Sequence, residues 1–241
     1  MSSGYYVALS GMRTRLGELD RLASDIANAS TVGYKAERTT TVESDRPDFA
    51  SELASAIDVT GGVTRLDMRA GSIAPTGRDL DVAIDGPGLF VIDTPRGERY
   101  TRDGRFTRRN DGVLTTVDGT PVMGESGQIT LNKGAVRIDT DGTVRAGGAV
   151  AGKLKVVEFS NPSALQREST SMFEATDNAS PNPSAESEVR SGALEQSNVS
   201  VVDRIAQMSG ANRTFESLQK AISVLANDLD GKAITELGRR G

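Results

Sequence analysis

The sequence predicts an α+β fold in which long N- and C-terminal helices pair as a coiled coil and flank a central all-β antiparallel domain. All eight prolines fall between Pro47 and Pro183, so both ends lack the strongest helix breaker. Seventeen of the 26 glycines lie between Gly61 and Gly152, which indicates a turn-rich middle. Apolar residues near both ends recur at helical spacing, as amphipathic helices require.

The composition excludes several classes of chemistry. The 241-residue chain has no Cys and no His, so thiol nucleophiles, Cys or His metal sites and imidazole-dependent triads are impossible. Only carboxylate, Lys, Tyr or Ser/Lys chemistry stays open. The net charge of −5 gives no support to general binding of nucleic acid or anionic membrane. We therefore predict no catalytic residues, no cofactor and no metal ligands.

The N-terminal helix is predicted from a heptad seam, whose steps alternate between four and three residues. The helix ends at a turn motif in which Gly33 can adopt a left-handed conformation. A single amphipathic helix packed on its own domain is the alternative interpretation. The predicted seam comprises Tyr5, Leu9, Met12, Leu16, Leu19, Ala23 and Ile26, and the turn motif comprises Asn28, Thr31, Gly33 and Tyr34.

A second apolar stripe predicts the C-terminal helix, which begins after the capping-box spacing of Ser200 and Asp203. Each stripe needs an apolar partner, so we expect the two helices to pair with each other, with neighbouring copies, or with both. The C-terminal seam comprises Val201, Ile205, Met208, Ala211, Phe215, Leu218, Ile222, Leu225 and Leu229.

The middle of the chain has the pattern of strands and tight turns. Leu80, Val82 and Ile84 alternate with carboxylates, which predicts a half-buried strand with those carboxylates facing solvent. Asp-Gly pairs beginning at four positions predict hairpins. The carboxylates of the strand are Asp79, Asp81 and Asp85, and the four hairpin aspartates are Asp103, Asp111, Asp118 and Asp141.

No basic and apolar leader precedes the first helix, and no stretch approaches the length of a membrane span.

The predicted elements divide the chain into five segments. The segments are an N-terminal helix with its turn motif (1–35), an extended connecting segment (36–77), the β domain (78–167), a linker (168–196) and the C-terminal helix (197–241).

Two other classes of function have some support in the sequence. Aspartates at 79, 81, 85 and 93 are numerous enough to suggest paired carboxylates, as in glycoside hydrolysis. Solvation of a strand face is the simpler interpretation.

Arginines at 96, 99, 102, 105, 108 and 109 suggest a phosphate-binding patch. Interspersed acidic residues favour the charged face of a hairpin instead.

Five stretches resemble one known family, the flagellar rod and hook proteins. They occur in the family's order and span nearly the whole chain. The first closes the N-terminal helix, the next three lie in the β domain, and the last precedes the C-terminal helix. The stretches are Ile26 to Lys35, Thr76 to Phe90, Tyr100 to Phe106, Gly119 to Gly124 and Leu194 to Val199.

The resemblance implies a structural subunit of the flagellar basal-body rod, whose terminal helices form an inner tube with the β domain outside. It implies that the partners are copies of itself, other rod subunits and the flagellar type III export apparatus, with no nucleic acid and no direct membrane insertion. The location implied is the rod that crosses the periplasm, reached without a cleaved signal peptide. Tyr5 and Leu9 resemble the export element of such substrates.

Within this family the chain is more similar to the proximal rod type. The interval between Lys35 and Leu80 is short, and the β region is too small to include the outer domain of a hook protein. The distal rod type is the alternative within the family. A secreted coiled-coil adhesin is the alternative from a different class.

Overall fold

A computed structural model describes residues 2–40, 63–176, 179–184 and 186–237, which contain two α-helices and nineteen strands. The helices are α1 (Ser2–Ala27) and α2 (Val201–Leu237). The strands are β1 (Glu37–Thr40), β2 (Val63–Leu66), β3 (Ile73–Pro75), β4 (Val82–Asp85), β5 (Leu89–Thr94), β6 (Gly97–Thr101), β7 (Phe106–Arg108), β8 (Leu114–Thr116), β9 (Met123–Gly124), β10 (Gly127–Gln128), β11 (Val136–Ile138), β12 (Thr143–Ala146), β13 (Ala149–Lys153), β14 (Val156–Phe159), β15 (Leu165–Arg167), β16 (Met172–Ala175), β17 (Pro181–Pro183), β18 (Glu188–Ser191) and β19 (Ala193–Glu195).

The chain divides into two compact units. We call the first the β unit, which consists of Ala27–Arg38 and Arg65–Val199. We call the second the helical unit, which consists of Met1–Ile26, Thr39–Thr64 and Ser200–Gly241. Neither described helix is both long enough and apolar enough to cross a membrane.

A six-stranded antiparallel sheet forms the centre of the β unit, in the order β15-β16-β6-β5-β14-β17. Strand β5 lies inside this sheet and is buried on both faces. Leu89 and Val91 pack in one apolar cluster, whereas Phe90 and Ile92 pack in the other. Because both faces are covered, the first four residues of the strand are all apolar and do not alternate with polar residues.

The larger cluster joins the sheet to the shorter strand pairs beside it. Phe90 and Phe106 meet edge to face, with ring centroids 5.0 Å apart. The late strands of the chain pair with the early ones, since β18 pairs with β4 and β19 with β3. These strand pairs therefore form only when residues from both ends of the β unit's sequence come together.

Three of the four Asp-Gly pairs form the tight turns that the sequence predicts. Gly112, Gly119 and Gly142 all have positive φ and donate an N–H to the carbonyl three residues earlier. The hairpin prediction at Asp103 is wrong. Gly104 instead lies against the backbone of Val82, where a β-carbon would be 1.6 Å from the Val82 carbonyl oxygen.

The predicted solvent face of the first β-domain strand is also partly wrong. Asp79 is exposed as expected, but Asp81 is buried, with the Arg78 guanidinium 3.5 Å from its carboxylate. The Asp81 backbone forms a bridge with Arg105, and its N–H bonds to the Arg78 carbonyl. The chain turns into β4 at this point, so simple alternation does not yet apply.

The prediction that the terminal helices are long and pair as a coiled coil is wrong. α1 has 26 residues and is shorter than α2, which has 37. A coiled coil buries apolar seam residues on both helices, yet Leu16 is 47% exposed and Ile205 is 54% exposed. From residue 9 of α1 onward, the buried side chains are those of Leu22 and Asp25, which lie outside the predicted seam.

An ion pair joins α1 and α2. Arg204 Nε lies 3.0 Å from the Asp25 carboxylate, near the end of α1 and the start of α2. Ser200 caps α2 as predicted, since its hydroxyl oxygen accepts the Asp203 N–H at 3.4 Å. The helices therefore form where the sequence places them, but their apolar seams do not meet as a coiled coil.

The domain boundaries inferred from the sequence remain predictions. Much of the expected connecting segment, residues 41–62, lies outside the described residues, as do residues 177, 178 and 185 of the expected linker. The described parts of these two segments contain short strands from β1 to β3 and from β16 to β19.

Candidate functional site

Three buried charged side chains form the most unusual site of the β unit, which we call the ionic junction. They belong to Lys35, Arg102 and Glu195, and each is at most 1% exposed. Lys35 Nζ lies 2.5 Å from Glu195 Oε1, and Arg102 Nη1 lies 2.9 Å from Glu195 Oε2. A single carboxylate therefore pairs with two cations, one at each oxygen.

Backbone groups supply further hydrogen bonds to these charges, and among the described residues Arg102 Nε alone of their polar atoms is buried without a partner. The Gly71 N–H donates to Glu195 Oε1 at 2.8 Å. Lys35 Nζ also donates to the Arg69 carbonyl at 2.8 Å, and Arg102 Nη2 donates to the Gly86 carbonyl at 2.6 Å. Such partners are needed because a buried charge without hydrogen bonds is very costly.

The ionic junction carries more positive than negative charge. Burial lowers the pKa of the Lys35 ammonium below its ordinary value of 10.5, and the Glu195 carboxylate opposes this shift. Burial also lowers the pKa of the Arg102 guanidinium, again against the attraction of Glu195. Glu195 is thus the counter-ion on which both buried cations depend.

The turn motif that follows α1 is attached to the same site. Gly33 has φ +69° and donates its N–H to the Glu195 carbonyl at 2.8 Å. A β-carbon on Gly33 would lie 2.5 Å from the backbone carbon of Arg102. Earlier in the turn, the Thr31 hydroxyl donates to Asn28 Oδ1 at 3.1 Å. Only glycine fits at position 33, for both conformational and steric reasons.

Tyr34 packs beside the ionic junction under an arginine. The Arg167 guanidinium lies 4.4 Å from the centroid of the buried Tyr34 ring, as in a cation–π contact. The same guanidinium donates to the Lys35 carbonyl, and to Glu37 Oε1 at 2.8 Å. Arg167 therefore fixes the chain on both sides of Lys35.

Asn198 ties the segment before α2 to two other parts of the β unit. Its Oδ1 accepts the Ala36 N–H at 2.7 Å. Its Nδ2 donates to the Asp67 carbonyl at 2.7 Å and to the Arg69 carbonyl at 3.0 Å. Both the oxygen and the nitrogen of this amide are hydrogen-bonded, so Asn198 holds the segment before α2 against the backbone of Ala36, Asp67 and Arg69.

Four of the five stretches that carry the family resemblance meet at the ionic junction. The first supplies Gly33 and Lys35, the third supplies Arg102, and the last supplies Glu195 and Asn198. The second contributes backbone carbonyls that accept hydrogen bonds from Arg102. Sequence reasoning placed Arg102 only in the alternative of a phosphate-binding patch and gave the Lys35 and Glu195 side chains no role. The available signal was a Glu in the apolar Ala193-Leu194 context, which predicts a buried carboxylate in need of a partner.

The predicted seam residues lie on the two helices of the helical unit, and several of them are exposed. In α1, Leu9 and Leu16 are exposed. In the first turns of α2, Val201, Ile205 and Met208 are exposed as well. The partly buried seam residues are Met12, Leu19, Ile26, Phe215, Leu218 and Ile222. The side chains of Tyr5, Leu225 and Leu229 lie outside the described residues.

Five of the six arginines that suggested a phosphate-binding patch are buried or paired with carboxylates. Arg99 and Arg102 are buried, and Arg96, Arg105 and Arg109 pair with carboxylates. These arginines therefore offer no free basic surface to a phosphate backbone. Among the described residues, no three acidic side chains converge as a metal site would require.

The charge balance of the ionic junction predicts a large effect for Glu195→Gln. Removing the one carboxylate leaves two buried cations unpaired, so we expect the free energy of unfolding to fall by about 3–5 kcal/mol. Urea unfolding followed by circular dichroism measures this. The control is Glu98→Gln, which alters the exposed ion pair with Lys155 and should cost less than about 1 kcal/mol. Equal losses in the two variants would contradict the assignment.

The close approach at Gly33 predicts that alanine cannot replace it. Gly77 is the matched control, because it has φ +73° but nothing within 4 Å of its β-carbon position. Gly77→Ala should cost about 1–2 kcal/mol through its φ alone. Gly33→Ala should lower the free energy of unfolding several times more, because the methyl group also meets the Arg102 backbone. Similar thermal melts for the two variants would refute the steric argument.

The lowered pKa of Lys35 predicts a dependence of stability on pH. Between this lowered pKa and 10.5, the unfolded chain binds more protons than the folded chain, so the free energy of unfolding rises with pH. We expect wild type to gain stability relative to Lys35→Met as the pH increases from 8 to 10 in urea titrations. Lys155→Met, in an exposed ion pair, should show no such trend. A constant difference between wild type and Lys35→Met would rule out the shift.

Two protein-family models match parts of the chain. Residues 83–146 match the D1 domain model of the flagellar hook proteins FlgE/F/G. Residues 190–235 match the C-terminal model of the flagellar basal body rod FlgEFG proteins. The second match includes Glu195 and Asn198.

Curated relatives align with the chain from end to end. The flagellar basal-body rod protein FlgF of Caulobacter vibrioides is 35% identical over 99% of both chains. FlgF of Rhizobium meliloti is 34% identical, again over 99% of both chains. FlgG of Bacillus subtilis is 31% identical over 92% of this chain and 95% of its own. The chain therefore belongs to the flagellar basal-body rod protein family, and within that family it is of the FlgF type.

Proposed function

We propose that this chain is a non-catalytic building block of the proximal rod, which joins its neighbours through the exposed apolar residues of its two helices. Membership of the family makes it a structural subunit of the flagellar basal-body rod. The mode of assembly is supported by one observation. In the single subunit, Leu16 of α1 and Ile205 of α2 leave about half of their surface exposed to solvent.

Exposure of this kind is unfavourable for a subunit that stays alone. Val201, Ile205 and Met208 lie on successive turns of α2 and form a continuous apolar strip. Covering it removes apolar surface from water at roughly 25 cal/mol per Å². Neighbouring copies and other rod subunits are the partners that we propose to cover it.

The geometry of the rod follows from the nature of such a contact. The strip on one subunit meets a different surface on the next, so the contact is heterologous. A heterologous contact whose rotation does not close produces a helical array, which is the symmetry an axial rod needs. The β unit has its own core and retains its fold independently of this contact.

We also propose that the subunit reaches the rod through the flagellar type III export apparatus, without a cleaved signal peptide, and that the rod it enters crosses the periplasm. Tyr5 and Leu9 provide the aromatic and apolar pair resembling an export element. Leu9 is exposed, so it is available to a receptor in the free chain.

The assembly proposal predicts that Ile205→Asp or Leu16→Asp prevents incorporation without unfolding the subunit. Both side chains are exposed, so the free energy of unfolding should change by no more than about 0.5 kcal/mol. In the rod, however, a carboxylate would be buried without a partner. Immunoblots of purified basal bodies and swimming assays measure incorporation.

The matched control is Val150→Asp, which introduces the same charge at an apolar side chain of the β unit that is 60% exposed. This variant should be incorporated at the wild-type level. Normal incorporation of both helix variants would exclude these residues from the contact. Unfolding of the variants is monitored separately by circular dichroism of the free subunit.

A further inference from the structure

Strand β17 forms one edge of the six-stranded sheet and has an unusual composition for a strand. It reads Pro181-Asn182-Pro183, and all three residues are exposed. Its only neighbour in the sheet is β14. An exposed sheet edge normally presents unpaired N–H and C=O groups on which a strand from another molecule can add.

The register shows which backbone groups face outward. Asn182 lies opposite Glu158, whereas Pro181 and Pro183 lie opposite Phe159 and Val157. The Ser184 N–H donates inward to the Val156 carbonyl at 3.1 Å. In an antiparallel ladder the inward-facing residues alternate, so Asn182 also faces inward and the two prolines face outward.

The outer edge of β17 therefore cannot donate a hydrogen bond. Proline has no N–H, so Pro181 and Pro183 present two carbonyl oxygens and no donor to an approaching strand. Side chains hold β17 in this register. Asn182 Nδ2 donates to the Ser160 hydroxyl at 3.2 Å, and the Ser184 hydroxyl donates to Glu158 Oε2 at 3.0 Å.

The opposite edge of the sheet is protected differently. In β15, the outward-facing N–H of Leu165 is already bonded to the Pro162 carbonyl. The side chain of Arg167 fixes the chain at Lys35 and Glu37 through its hydrogen bonds. At Leu165 the opposite edge therefore has no free donor, whereas β17 lacks outward donors because of its prolines.

We propose that β17 is a stop strand, which prevents the sheet of one subunit from pairing edge to edge with the sheet of a second copy. The prolines limit the sheet to six strands and restrict contacts between copies to other surfaces. This inference is independent of the assembly role proposed for the helices, because it concerns pairing between the sheet edges of two copies, which the prolines disfavour.

Replacing both prolines tests the proposal. Threonine supplies an N–H and favours strands, so Pro181→Thr with Pro183→Thr restores two outward donors. The natural chain has no Cys, so Asn182→Cys provides a single reporter on the edge. In an added antiparallel strand the two copies of residue 182 would face each other about 4.5 Å apart between Cα atoms, within disulfide range.

We expect the full-length Asn182→Cys protein to remain uncross-linked under mild oxidation. The same reporter with both threonines should give a disulfide dimer on non-reducing gels, and the double threonine variant should sediment as a concentration-dependent dimer. Two controls are matched. Val150→Cys with both threonines reports random collision, and Asn182→Cys with Pro95→Thr changes a proline outside β17, in the turn after β5.

Each outcome decides the question. A dimer of Asn182→Cys with both prolines in place would show that the edge pairs without help and would overturn the proposal. Equal cross-linking with and without the threonines, at any level, would do the same. The single variants Pro181→Thr and Pro183→Thr each restore one donor and should give intermediate cross-linking, which keeps the test informative if the double variant does not fold.

Discussion

The carboxylate of Glu195 is the group on which the β unit depends. It lies on a late strand and neutralises two buried cations, Lys35 from the segment after α1 and Arg102 from the middle of the β unit. Both cations are at most 1% exposed, and burial lowers the pKa of both. Three distant parts of the sequence are therefore held together by one charge.

Hydrogen bonds from neighbouring backbone make this arrangement specific. Gly71 reaches Glu195 with its N–H, and Gly33 reaches the Glu195 carbonyl because it has no side chain to collide with Arg102. Asn198 then fixes the segment that leads into α2. The chain that follows α1 and the chain that precedes α2 thus share one anchor.

The β unit and the helical unit differ in how much of their apolar surface they leave exposed. The β unit covers most of its apolar residues in two clusters and limits the free donors at the edges of its main sheet, through the prolines of β17 and the bonded Leu165 N–H of β15. The helical unit leaves Leu16 and Ile205 exposed. Contacts between copies are consequently favoured at the helices and disfavoured at the edges of the sheet. Subunits restricted to one kind of contact assemble into a regular helical array.

The sequence by itself determined the two helices, the β-rich middle, three of the four Asp-Gly turns and the family, because these depend on local spacing, turn chemistry and motifs in order. Tertiary structure decided the rest. Heptad spacing predicted a coiled coil, but periodicity identifies an apolar face without identifying its partner, and Leu16 and Ile205 remain exposed. The burial of Asp81 and the joining of Lys35, Arg102 and Glu195 were equally beyond local reasoning. Residues 160 positions apart meet only when the strands pair, so no nearby pattern could reveal that they share a charge.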